Sequence, residues 1–252
     1  MRADGVTGQL ADHIRQLAAR YETADFLAAD PSRFMHCVSG AANQEAMAFI
    51  ASCLSYGSRK QFFPKIQYIL DVSNGEVDHW VRSGQWRADM HDTDECYYRL
   101  YTWHDLCRLL EAHMAMLAQY GSMREYIRLN ATTGIEAVAA ICRHFAAYGA
   151  SKVVPKGTAS ACKRVCMFLR WMVRGGSPVD LGLWADIIDR RTLVMPLDTH
   201  VVQEARRMGL LTGGTASMAA ARRLTDAMLR IFPDDPLRGD FALFGLGVDD
   251  GR

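Results

Sequence analysis

Residues 45–56 read EAMAFIASCLSY. Met47, Ile50 and Leu54 recur at helical spacing, and Phe49, Cys53 and Tyr56 form an adjoining row. The same period continues outward from this stretch. Residues 61–70 carry Phe62, Ile66, Ile69 and Leu70, and 104–119 align Leu106, Leu109, Leu110, His113 and Leu117 before a stop at Gly121. Ser122 and Glu125 have the spacing of a capping box that opens the next helix. Further helices are expected around 135–147, 160–174, 199–208, 215–231 and 236–247. Strand-like alternation is nearly absent. Residues 152–155 and 193–196 are short apolar pieces ending in proline, which suits loops that enter helices. The segment 71–96 is rich in Trp, Asp and His and reads as a surface loop or a short irregular helix. No Pro/Gly/Ser linker divides the chain. The expectation is an all-α protein: a single unit over 1–252, built as two helical lobes around a cleft.

Composition narrows the function. The 252 residues carry 29 Lys plus Arg against 28 Asp plus Glu, a net charge of +1, with half the chain apolar. That is globular and neither disordered nor a polycation that binds nucleic acid by bulk charge. No apolar run approaches the ~20 residues of a membrane span. The N-terminus is polar with no apolar signal core, so a non-secreted, cytoplasmic protein is expected. The seven cysteines include no Cys-x-x-Cys pair. They read as small buried thiols in a reducing compartment, with no spacing for disulfides, zinc or an iron–sulfur centre.

The near-neutral total hides an asymmetry. Residues 137–179 contain no Asp or Glu but hold Arg143, Lys152, Lys156, Lys163, Arg164, Arg170 and Arg174. A local basic surface on a neutral protein suits engagement of a phosphate backbone; it also suits a plain solvated face. In the helix expected over 160–174, with Ser160 as N-cap, Lys163, Met167, Arg170 and Arg174 share one face. Val165, Phe168, Leu169 and Met172 take the buried side. A lysine at the electropositive start of a helix, beside other cations, is placed as a nucleophile can be.

A second feature is 195–201, MPLDTHV. Asp198 precedes a helical run, so it reads as an N-cap. An N-cap carboxylate is fixed in direction by backbone N–H groups, which a catalytic carboxylate also needs. Asp198, His200 and His144 admit a metal-dependent hydrolase as a further reading. Tyr97, Tyr98, Tyr101 and Trp103 offer base stacking or core packing. His104 and Asp105 read as a helix start, and Trp171 and Trp184 as core or lobe-interface residues.

Four segments in order resemble the helix-hairpin-helix, endonuclease III-type DNA glycosylase superfamily. They are 45–60 (EAMAFIASCLSYGSRK), 158–169 (TASACKRVCMFL), 196–210 (PLDTHVVQEARRMGL) and 228–247 (MLRIFPDDPLRGDFALFGLG), within a span of roughly 43–247. The likeness is greatest to a bacterial family of uncharacterised glycosylase relatives. The long interval from Lys163 to Asp198 is similar to that of archaeal 8-oxoguanine glycosylases.

The resemblance implies two helical lobes around a DNA-binding cleft. It places Lys163 on the nucleophile and Asp198 on the carboxylate that supports the sugar cation. Asp240 falls where the damaged base is held, Phe244 and Met167 flank that base, and Arg170 lies below on the Lys163 face. Tyr56 and Ser58 occupy the turn that fills the gap or touches the base, and Lys156, Arg164 and Arg174 contact the DNA backbone. The implied activity is base-excision glycosylase with AP lyase, removing an oxidised purine, foremost 8-oxoguanine. It would act as a monomer on double-stranded DNA containing a damaged base, nucleoid-associated when bound, with no membrane partner, metal or cofactor. A non-catalytic DNA-binding protein of the same fold is the alternative. The chain departs from the family pattern in keeping only Gly157 of the hairpin glycines, and in placing Met167 where an aromatic would stack.

Overall fold

The computed structural model describes residues 6–213 and 215–250. In chain order the helices are α1 (Gly8–Tyr21), α2 (Ala41–Leu54), α3 (Arg59–Val72), α4 (Val77–Ser83) and α5 (Trp86–Asp89). Strands β1 (Cys96–Tyr98) and β2 (Tyr101–Thr102) follow. Then come α6 (Trp103–Tyr120), α7 (Met123–Asn130), α8 (Gly134–Ala147), α9 (Lys163–Val173), α10 (Thr199–Arg207), α11 (Met218–Ile231) and α12 (Arg238–Asp250). The protein is all-α apart from one antiparallel hairpin, which pairs Cys96 with Thr102 and Tyr98 with Tyr101 among the described residues. The chain forms two compact units. One comprises Leu27–Thr132 and Glu136–Gly157, the other Met1–Phe26, Thr133–Ile135 and Thr158–Arg252.

In the first of these units α2 is buried on every side, from Glu45 through Leu54. A helix apolar all round belongs in the middle of a core. It packs against α3, α4 and the 3-10 turn Pro31–His36, while α6 packs against α4 and α7. The carboxylate of Glu45 accepts the N–H groups of Met123 at 2.9 Å and Arg124 at 3.1 Å. A buried charge on α2 thus satisfies the electropositive start of α7. Ser122 caps α7 as expected, accepting from the Glu125 N–H at 3.0 Å. The Glu125 carboxylate does not return to close a capping box; it pairs with Arg128. His113 lies in the core against Phe49, and burial drives its pKa down to about 3, so it is neutral.

The segment 71–96 is more ordered than its composition suggests. Trp80 and Trp86 are buried in α4 and α5, and Trp80 Nε1 donates to Asp89 at 2.7 Å. The following aromatics are core residues of the hairpin: Tyr97, Tyr98 and Tyr101 are all buried. Thr102 and Asp105 form the capping box that starts α6. All seven cysteines are free; five are buried, but Cys37 and Cys96 are exposed.

In the second unit α12 packs against α1 and α10. Glycines set these close approaches. A Cβ on Gly245 would fall 2.2 Å from the Tyr21 ring, and one on Gly247 would fall 2.8 Å from His200 Cβ. The Tyr21 hydroxyl donates to Asp249 at 2.7 Å, which locks the ring over Gly245. Gly245→Ala is therefore expected to destabilise the protein by about 2 kcal/mol, the usual cost of overpacking. Chemical denaturation measures this, and an unchanged midpoint would show that α1 yields freely. Trp171 and Trp184 are fully buried in this unit.

Candidate functional site

The helix that carries Lys163 starts later than its sequence suggests. Ser160 is not its cap. Cys162 holds the N-cap position with left-handed backbone (φ 47°), and Lys163 is the first helical residue. The Ser160 hydroxyl instead accepts from the Cys162 N–H at 3.4 Å. Val165, Phe168, Leu169 and Met172 are buried, as the periodicity requires. Lys163 is half-buried and makes no hydrogen bond or salt bridge among the described residues.

Asp198 is the N-cap of α10. Its Oδ1 accepts the Val201 N–H at 2.8 Å, and the other carboxylate oxygen has no partner among the described residues. The cap bond fixes the carboxylate while leaving half of it available. His200, two residues on, stands edge-on to Phe244 with ring centroids 6.0 Å apart, and Phe244 also meets Phe26 at 5.9 Å.

Asp240, on α12, is 4% exposed and paired with Arg170. Burial pushes its pKa up the most. Arg170 opposes that, the negative charge of Asp198 adds to it, and Lys163 opposes it, leaving about 6. These couplings bring Lys163, Asp198, Asp240 and Arg170, residues far apart in the chain, into one electrostatic neighbourhood. The Cys166 thiol also feels Asp240, and burial pushes its pKa far up, which leaves it unreactive. Met167 is buried in the same helix.

The Asp240 shift has a thermodynamic consequence. The carboxyl titrates near 4 in the unfolded chain and near 6 in the folded one. The folded state therefore holds more protons between pH 4 and 6. This contribution to stability falls as pH rises through that window, by about 3 kcal/mol, and is flat above it. Denaturation midpoints from pH 4 to 7 should show a decline that Asp240→Asn removes. The same slope in both proteins would refute the assignment.

Two expected contacts are corrected. Arg174 is 2% exposed and closed off from any DNA phosphate. Its Nε and Nη2 each donate to Asp235 at 2.8 Å, Nη2 also meets Glu22 at 2.7 Å, and Nη1 meets Asp180. Arg170 is likewise buried. It pairs with Asp180 at 3.2 Å and with Asp240, so it reaches a substrate only through those carboxylates. Both guanidinium groups lie over the Phe241 ring, at 4.4 and 5.2 Å. The C-terminal half of the cationic stripe on α9 is thus an internal ion network, whereas Lys163 and its neighbour Arg164 at the start of the helix are half-exposed. Asp180, Asp235, Glu22 and Arg238 complete the network, with Arg238 meeting Glu22 at 3.1 Å. A count of charge along a continuous stretch misses them because they come from three other segments.

The other expected site residues lie in the other unit. Tyr56 and Ser58 are exposed in the turn before α3, and Lys156 is exposed in the loop after α8. Lys152, from the same basic stretch, pairs with Asp105 at 2.6 Å. The ring of His144 is engaged at 2.8 Å by the Ala112 carbonyl. Among the described residues no group of three or more His, Cys, Asp or Glu side chains could hold a metal ion, and no helix is long and apolar enough to cross a membrane. A hollow of about 610 Å³ lined by Val173, Gly175, Asp186, Ile188 and Arg190 opens at the far end of α9, roughly 15 Å of helix from Lys163. It is not the Lys163 site.

Residues 30–249 match the family described as protein of unknown function (DUF2400), and the chain belongs to that family. Comparison with curated proteins and with solved structures gave no match.

Proposed function

We propose that this protein is a DNA base-excision repair glycosylase with AP lyase activity. On this reading it removes an oxidised purine, foremost 8-oxoguanine, through a Schiff base on Lys163, and its fold is that of the helix-hairpin-helix glycosylases. The observation that carries the proposal is the Lys163 amine. It is unpaired among the described residues, half-exposed at the first turn of α9, and within electrostatic range of Asp240, which also senses Asp198.

The chemistry runs as follows. A damaged nucleotide leaves the stack, which costs a few kcal/mol and least for a lesion. Lys163 Nζ forms a bond to C1′ as the C1′–N bond to the base breaks, and the base departs with the electron pair and a proton. The free oxygen of Asp198 supports positive charge on the sugar. Ring opening yields the Schiff base, and loss of a C2′ proton then expels the 3′ phosphate. Asp240, held by Arg170, contributes a buried carboxyl for a polar edge of the base, with Phe244 alongside. Lys156 and Arg164 contact the backbone, and Arg174 supports the site from beneath. The substrate is double-stranded DNA, and the enzyme acts as a monomer in the cytoplasm.

Borohydride trapping tests this on duplexes carrying single lesions, led by 8-oxoguanine. A covalent adduct supports the enzyme. Binding to DNA without an adduct over several lesions would leave the non-catalytic DNA-binding protein.

A further inference from the structure

The β1–β2 hairpin ends in an unusual tip. Arg99 adopts left-handed backbone (φ 52°), and Leu100 beside it is 66% exposed. The flanking Tyr98 and Tyr101 are buried, so the tip stands on an anchored base. The Tyr98 hydroxyl donates to the Tyr56 carbonyl, tying the hairpin to the turn before α3. Arg99 reaches back over the Tyr56 ring, with Cζ 4.9 Å from its centroid, and Tyr56 is itself 40% exposed. Gly57 makes room for this (φ 90°): a Cβ there would fall 2.4 Å from Arg99 Nη1.

The charge of this surface is uncompensated. Arg99 and Lys60 are exposed and form no salt bridge among the described residues. The start of α3 adds electropositive N–H groups, because the Ser58 side chain does not cap them. Asp94 and Glu95 precede β1, at the opposite end of the hairpin from Arg99 and Leu100. An apolar point, an aromatic face and cations without a carboxylate partner together match a nucleic-acid strand with an unstacked base. The ring and the guanidinium stack on the base, the apolar side chain wedges beside it, and the cations meet the phosphates.

The geometry points to the Arg99–Leu100 hairpin tip, with Tyr56, as a DNA contact that captures an unpaired base. This rests on the reading of the chain as a DNA-binding protein and adds the hairpin tip, which that reading did not include, to Tyr56, which it did. The test compares binding of a fully paired duplex with binding of the same duplex carrying one bulged 2-aminopurine, whose fluorescence reports stacking. The full-length protein should prefer the bulged duplex by about tenfold and quench the probe. Leu100→Ser should lose that preference and the quenching. Arg99→Asn, which tolerates the left-handed backbone, should weaken both duplexes and lower the salt slope by about one. Retention of preference and quenching in Leu100→Ser would overturn the proposal. So would equal binding of both duplexes by the natural protein. If Lys163 is still trapped by borohydride in that case, only the hairpin assignment fails. If neither duplex binds and nothing is trapped, the DNA reading fails with it.

Discussion

Lys163→Gln is expected to abolish the borohydride-trapped adduct and to lower lesion excision by about a thousandfold or more, as removal of a nucleophile does. Glutamine keeps the length and polarity of the side chain but has no amine to attack C1′. Lys163 is half-buried and forms no ion pair among the described residues. Its replacement should therefore change stability by no more than about 0.5 kcal/mol. The two measurements belong together: adduct and excision lost, with the denaturation midpoint unchanged, mark a chemical role. Trapping that survives Lys163→Gln would move the Schiff base to another amine and remove the observation on which the proposed function stands.

Arg174→Met should have the opposite signature, a large loss of stability. Arg174 is 2% exposed and meets three carboxylates, those of Asp235, Asp180 and Glu22. Methionine fits much of the volume but leaves buried acids without their cation. Breaking a buried ion pair from one side costs about 3–5 kcal/mol, because the remaining charge stays desolvated. Asp180 is the most exposed to this penalty: burial already pushes its pKa up, and Arg170 and Arg174 are the charges that hold it down. Urea denaturation measures the loss. Adding Asp235→Asn to Arg174→Met should recover part of it, since one uncompensated charge is then gone. A loss below about 1 kcal/mol would mean that water or rearrangement satisfies these acids, and that the network does not hold α9 in place.

The two experiments divide one helix face between two physical roles. Lys163 and Arg174 lie on the same side of α9, eleven residues apart. At the start of the helix the cation is half-exposed and unpaired. Three turns on it is enclosed by acids. Sequence spacing reveals that the side chains share a face, but not what that face meets. The same limit applies to the hairpin. Tyr97, Tyr98 and Tyr101 read as packing or stacking residues from their types alone. That they are buried while Leu100 is exposed follows from contacts with distant segments, among them the Tyr98 hydroxyl on the carbonyl of Tyr56, forty-two positions away, and the Tyr97 hydroxyl on that of Lys65.

Local features were legible because their causes are local. Apolar rows at helical spacing mark α2, α6 and α9, Gly121 stops α6, and Asp198 caps α10, all through interactions within a turn or two. Lys163 and Asp198 stand out at helix starts for the same reason, while their catalytic roles come only from the resemblance. The partners of the basic residues were not legible. Arg170 and Arg174 look like a cationic surface in a stretch without acids, yet Asp180, Asp235, Asp240 and Glu22 meet them in the interior. The charge of a side chain is written in the sequence. Whether that charge faces solvent, a substrate or a buried acid depends on contacts between distant segments, and only the tertiary structure brings those together.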